Sequence, residues 1–239
     1  MLVDGINVVK ELLKSYSTID KIIVERSNNR DINEIMDLAN NRGVSIQEVD
    51  KKELERIAKG KTQGVVAFVP NYKYCEIRDI LLEAERKGEK PFIVILDGIE
   101  DPHNLGAIVR TCECAGVHGV IIPENRACEV NATVYRTSAG AVSNMKICRV
   151  VNLTRTIDEL KELGIWVYAM EAGDKSIYEA DFTYPTAIVV GSEGRGVSRL
   201  VKEHSDEVLS LDMFGKVNSL NASNAGAIAI YEVVRQRRK

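Results

Sequence analysis

Four runs of apolar residues constrain this chain more than anything else in it. They are Phe92-Ile93-Val94-Ile95-Leu96, Gly119-Val120-Ile121-Ile122, Ile165-Trp166-Val167-Tyr168-Ala169 and Ala187-Ile188-Val189-Val190. A strand with one wet face alternates apolar and polar residues, whereas a strand apolar throughout is covered on both faces. Parallel strands also need long crossovers, and the segments between these runs are long enough to supply helices. The chain from 91 onward therefore reads as α/β, a mostly parallel sheet sandwiched by helices.

The first 70 residues have a different texture. Asp4 is suited to cap a helix in which Ile6, Val9, Leu12 and Leu13 fall at helical spacing. A strand over 19–24, a helix over 33–42, a strand over 44–49, a basic helix over 51–59 and a strand over 64–69 follow. Pro70-Asn71-Tyr72 breaks the pattern, and a charged helix over 77–87 ends at Gly88. The expected organisation is a small α/β domain over 1–72, a linker helix over 73–90 and the larger domain over 91–239. About 70 residues can form a core of their own, near the lower comfortable limit.

No stretch approaches the roughly 18 apolar residues of a membrane span. Asp4, Lys10 and Glu11 interrupt any amino-terminal signal pattern, so a cytoplasmic protein is expected. The five cysteines are irregularly spaced and read as reduced, mostly buried thiols. Cys112 and Cys114 would point to different faces of a helix, and His103, His118 and His204 are scattered, so no metal is expected. A formal net charge of −3 argues against broad, unspecific binding of nucleic acid but leaves room for local patches. Lys51, Lys52, Arg56, Lys59 and Lys61 form one candidate, and Arg235, Arg237, Arg238 and Lys239 another. Either cluster equally suits a solvated surface.

Three constellations carry chemistry. In the first, Asp101-Pro102-His103-Asn104-Leu105-Gly106-Ala107-Ile108-Val109-Arg110, Pro102 suits a first helical turn. Leu105, Ile108, Val109 and Cys112 make an apolar face, leaving Asn104 as a possible cap and Arg110 off that face. In the second, Val190-Gly191-Ser192-Glu193-Gly194-Arg195-Gly196, flexible backbone follows a buried strand, where open α/β sheets bind ligands. Its glycines do not fit a dinucleotide fingerprint or a P-loop, and Glu193 would repel phosphate. The third runs from a strand over 207–211 through Leu211-Asp212-Met213-Phe214-Gly215-Lys216-Val217-Asn218-Ser219-Leu220-Asn221 into a terminal helix, with Ser219 as a candidate cap.

Together and in this order, these motifs resemble those of the SpoU family of RNA ribose 2′-O-methyltransferases, in the SPOUT superfamily. Asp101-Pro102-x-Asn104-x-Gly106-x-x-x-Arg110 is similar to the first motif and Gly191-Ser192-Glu193-Gly194-x-Gly196 to the second. Met213-x-Gly215-x-Val217-x-Ser219-Leu220-Asn221 is similar to the third. Asp4-Gly5 and Gln63-Gly64-Val65-Val66-Ala67 extend the resemblance over the family's substrate-binding module. Asp212 stands where the family usually has proline, and Ala222 and Asn224 replace bulkier apolar residues.

The resemblance implies an S-adenosylmethionine-dependent enzyme with a carboxy-terminal trefoil knot, working as a homodimer. Its cofactor would rest on Gly191, Leu211, Met213 and Leu220. Asn104, Arg110, Glu193, Ser219 and Asn221 would surround the ribose and the methyl group. The two-domain layout points to ribosomal RNA, a guanosine of the large subunit, and hence to rRNA processing. Transfer RNA, or a non-catalytic RNA-binding or ribosome-assembly protein on the same scaffold, is the competing reading. The family often assigns Arg110 as base, but a guanidinium cannot accept a proton, so an anchor for substrate phosphate suits it better.

Overall fold

A computed structural model of the chain describes every residue except Tyr16, Asp174 and Lys239. The chain forms two compact units, Met1–Lys73 with Glu129–Asn144, and Tyr74–Cys128 with Met145–Lys239.

The first unit is a four-stranded sheet with helices. Its strands are β1 (Leu2–Asp4), β2 (Lys21–Glu25), β3 (Ile46–Val49) and β4 (Val65–Phe68), in the order β1-β4-β2-β3. β4 is antiparallel to β1 and β2, while β2 and β3 run parallel. The helices are α1 (Ile6–Lys14), α2 (Arg30–Asn41) and α3 (Lys51–Ala58). Asp4 does not cap α1: it belongs to β1, and its carboxylate receives the Arg136 guanidinium. Gln63 Oε1 instead accepts the Ile6 N–H at 2.9 Å. One guanidinium, that of Arg42, donates to the carbonyls of Leu12, Leu13, Ser15 and Ser17, tying the end of α1 to α2. Asp50 caps α3, whose Lys51, Lys52 and Arg56 are exposed, as are Lys59 and Lys61 beyond it.

The excursion Glu129–Asn144 has no clear signal in the sequence. It holds the short helix α6 (Ala132–Thr137), with Val134 and Tyr135 buried. Besides the Arg136–Asp4 pair, Asn144 donates to Glu11 at 2.6 Å.

The second unit contains α4 (Ile77–Lys87), β5 (Phe92–Asp97), α5 (Pro102–Ala115), β6 (Gly119–Pro123) and β7 (Ile147–Val150). After these come α7 (Leu153–Glu162), β8 (Trp166–Met170), β9 (Thr186–Gly191), α8 (Arg199–His204), β10 (Glu207–Leu209) and α9 (Ala222–Arg237). The strands form a wholly parallel six-stranded sheet in the order β10-β8-β9-β5-β6-β7. Every residue from Phe92 to Leu96 and from Ala187 to Val190 is buried, which accounts for the absence of alternation. Ile80 of α4 lies in the core of this unit, so the helix expected as a linker is part of it.

Two expected caps fall elsewhere. Asp101, not Asn104, caps α5 by accepting the His103 N–H at 3.0 Å. Asn221, not Ser219, caps α9, because the helix begins only at Ala222. The carboxy-terminal basic cluster is also not a free patch. Arg237 donates to the carbonyls of Lys90, Pro91, Phe182 and Tyr184, and Arg235 is paired with Glu232. Arg238 is exposed, and Lys239 lies outside the described residues.

Candidate active site

The site grows from the carboxyl ends of β5, β8 and β9, where a parallel sheet leaves room for ligand. The turn after β9 closes on itself: Ser192 and Gly196 form an antiparallel bridge, with the Gly196 N–H on the Ser192 carbonyl at 2.9 Å. That closure dictates the glycines. A Cβ on Gly191 would stand 2.2 Å from the carbonyl carbon of Gly196, and one on Gly196 would stand 2.0 Å from a Glu171 carboxylate oxygen. Neither obstacle is free to move, since one is backbone and the other is a hydrogen-bonded anchor.

Two carboxylates hold the exit of this turn. Glu171, just past β8, accepts the Val197 N–H at 2.7 Å, and Asp97, ending β5, accepts the Ser198 N–H at 2.7 Å. Each follows an apolar run directly (Leu96-Asp97, Met170-Glu171), and an acid at the carboxyl end of a buried strand is the only mark that either leaves in the sequence.

Glu193, at the tip of the turn, is fixed by two carboxamides. Its Oε1 accepts from Asn104 Nδ2 at 2.9 Å and also from Asn221 Nδ2. Asn221 Nδ2 reaches Asn104 Oδ1 at 3.1 Å as well, which closes the cluster. The Asn221 oxygen meanwhile accepts the Ser223 N–H at 2.9 Å, so the α9 cap sets the amide's orientation. Residues 104, 193 and 221 thus converge from three distant segments.

Two cavities flank the cluster. The larger, 960 Å³, is lined by Gly191, Glu193, Leu211, Met213, Ser219, Leu220 and Asn221, together with Glu171 and Asp212. The smaller, 620 Å³, is lined by Asn104 and Glu193 among others. Arg110 lines neither cavity. It is exposed on α5 and makes no hydrogen bond or ion pair among the described residues. Among those residues, no group of three His, Cys, Asp or Glu side chains could hold a metal ion.

The SpoU rRNA Methylase family model matches residues 91–231, the segment that carries the whole of this site. The chain belongs to the SpoU rRNA methylase family. This SpoU methylase is accordingly an RNA methyltransferase, and its residues 2–75 match the model for RNA 2′-O ribose methyltransferase substrate binding. It is 44% identical over 235 residues to YacO of Bacillus subtilis (strain 168), a protein provisionally named as a TrmH family tRNA/rRNA methyltransferase. The match covers 98% of this chain and 94% of YacO. In fold it is similar to the SpoU methyltransferase AviRb of Streptomyces viridochromogenes, crystallised with AdoMet. There the TM-score is 0.83 at 24% identity, covering 100% of this chain and 90% of the other. A TrmH/SpoU tRNA modifying enzyme of A. aeolicus matches at TM-score 0.57 and 33% identity, covering 63% of this chain and 77% of that one.

Proposed function

We propose that this SpoU methylase transfers a methyl group from S-adenosylmethionine to a ribose 2′-hydroxyl of RNA, with a guanosine of large-subunit ribosomal RNA as the target. The observation that carries the reading is Glu193, held by Asn104 and Asn221 in the wall shared by two cavities.

The larger cavity fits the cofactor. S-adenosylmethionine carries a sulfonium and an ammonium against one carboxylate, and it has no phosphate. The lining answers with three carboxylates (Glu171, Glu193, Asp212) and one cation (Arg195), beside apolar Leu211, Met213 and Leu220 and the backbone of Gly191. When bound, the cofactor supplies an electrophilic methyl whose leaving group is a neutral thioether.

The chain's own residues then have one difficult task, because a ribose hydroxyl is a weak nucleophile. With Oε1 of Glu193 taken by two amides, its Oε2 is the acceptor that can fix the hydroxyl's direction. Alignment of this kind supplies up to ~7–11 kcal/mol. Arg110 serves as a positioning arginine that anchors substrate phosphate. Its exposure suits a second subunit's site, as do the exposed apolar Phe214, Val217, Ile228 and Tyr231, and we take the enzyme as a homodimer. The same reading takes the segment from the Glu193 turn to α9, which leaves the edge strand β10 and packs back on α5 and β9, as a trefoil knot. Ser219, on the larger cavity, completes the methyl-proximal wall.

The test is transfer of labelled methyl to deproteinised ribosomal and transfer RNA, followed by alkaline digestion. A 2′-O-methylated nucleotide resists alkali because its blocked oxygen cannot attack the adjacent phosphate. Alkali-resistant label on ribosomal RNA, lost in Glu193→Gln and Arg110→Ala, is expected. Label on transfer RNA alone would move the target there, and alkali-labile label would overturn ribose chemistry.

A further inference from the structure

The two cavities share one wall. Ser192, Glu193, Arg195 and Gly196 line both, whereas Asn104 lines only the smaller and Asn221 only the larger. Two amides therefore hold one carboxylate from either side of a partition. Transfer between two bound molecules requires a point that both can reach, and Glu193 stands there.

The chemistry of the two sides differs. Both have an acidic majority, but in the smaller Asp97 and Asp101 are engaged by the N–H groups of Ser198 and His103, and Glu193 by two amides. This leaves Glu100 against the guanidinium groups of Arg126 and Arg195, of which Arg126 lines this cavity alone. Arg126 and Arg195 have no hydrogen bond or ion pair among the described residues. Arg126 also has φ of 57°, a left-handed backbone unusual for a non-glycine residue and worth a functional question. Val151 and Leu200 line the same cleft and are apolar, yet they are 77% and 52% exposed. A nucleotide needs this combination: apolar contact for a base, a cation for phosphate and an acceptor for a ribose hydroxyl. At 620 Å³ the cleft is within the size range of small-ligand sites.

We propose that the smaller cleft seats the target nucleotide of the RNA, its phosphate on Arg126, its base against Val151 and Leu200, and its ribose at Glu193. This assignment rests on the ribose-methylation reading above. Glu100 lines the same cleft and repels phosphate, so the phosphate depends on Arg126 for its place.

The experiment follows methyl resonances of Ile, Leu and Val in the full chain. S-adenosylhomocysteine is added first, and then each nucleoside 5′-monophosphate. The nucleotides are expected to shift Val151 and Leu200, and S-adenosylhomocysteine to shift Leu211 and Leu220. Arg126→Asn, chosen because asparagine tolerates the left-handed backbone, should weaken nucleotide binding about tenfold and leave the S-adenosylhomocysteine shifts unchanged. With the methyl-accepting RNA, the same variant should raise KM about tenfold at constant kcat. It should also reduce the slope of log affinity against log salt by about 1, whereas Arg86→Gln, on α4 away from the cleft, changes neither. Nucleotide shifts at Leu211 and Leu220 instead, or unchanged affinity and KM in Arg126→Asn, would overturn the assignment while leaving the methyltransferase reading intact. Response to free nucleotides without any change in RNA KM would make the cleft a mononucleotide site and equally overturn it. No S-adenosylhomocysteine shift and no methyl transfer by the unaltered chain would end the broader reading, and this one with it.

Discussion

Asn221 uses the two ends of its amide for different purposes: the oxygen caps α9, and the nitrogen holds Glu193 and Asn104. The purposes can be separated. Serine caps a helix about as well as asparagine but is too short to reach Glu193, whereas alanine does neither. Asn221→Ser should therefore keep the thermal midpoint of the unaltered chain and lose methyl transfer. Asn221→Ala should lose transfer and about 1 kcal/mol of stability, or roughly 2–4 °C in Tm for a chain of this size. Differential scanning calorimetry beside a methyl-transfer assay checks both. His118 makes a second residue-scale prediction. It is buried, its Nδ1 accepts the Phe92 N–H at 3.0 Å, and its Nε2 faces Glu89 Oε2 at 3.0 Å, so the neutral ring carries its proton on Nε2. Burial lowers its pKa, with Glu89 opposing. Below the ordinary value of about 6.5, the unfolded chain then binds a proton that the folded chain refuses, and stability falls as pH falls. Tm should decline more steeply from pH 7 to 5.5 in the unaltered chain than in His118→Gln.

The turn between β9 and α8 is held from both neighbouring strand ends, and this makes Glu171 and Asp97 positioning residues for Glu193. Glu171→Ala leaves the Val197 N–H without its acceptor, at a cost of ~1–3 kcal/mol. Glu171→Gln keeps an acceptor oxygen. Calorimetric titration with S-adenosylhomocysteine should show Kd rising about tenfold or more in the alanine variant and far less in the glutamine one. Equal losses would mean that the charge, and not the clamp, matters. Much of this element layout was legible in advance. The apolar runs marked β5, β6, β8 and β9 to within a residue or two, because burial on both faces removes any need for polar residues, and Gly88 marked the end of α4. The caps were less legible. Asp4, Asn104 and Ser219 are all good capping residue types, and only tertiary structure decides between a local backbone N–H and a distant partner. Asn104 went to Glu193, 89 positions away, and Asp4 to Arg136, 132 positions away. The site motifs could be read because their residue types are unusual together. Asp97 and Glu171 could not, since a single acid after a strand has many uses.

At the scale of the whole molecule, the first unit is assembled from two stretches of chain, with Tyr74–Cys128 of the second unit between them. A fragment of residues 1–73 would lack α6, whose buried Val134 and Tyr135 each contribute on the order of 1.5–3 kcal/mol, and would leave Asp4 and Glu11 without Arg136 and Asn144. Such a fragment is expected to be marginal or unfolded by near-ultraviolet circular dichroism, and joining residues 129–144 to it by a flexible linker should restore a cooperative melt. Equal stability of the two would show that the excursion is an ornament. The same interruption bears on how the protein is born. A ribosome releases the amino-terminal residues first, yet the unit they belong to stays incomplete until residue 144 has emerged. At about 5–20 residues per second this is a wait of several seconds, during which an unfinished apolar surface is open to chaperones. The part of the chain made first therefore cannot finish folding as it emerges, but must wait for a stretch made about seventy residues later.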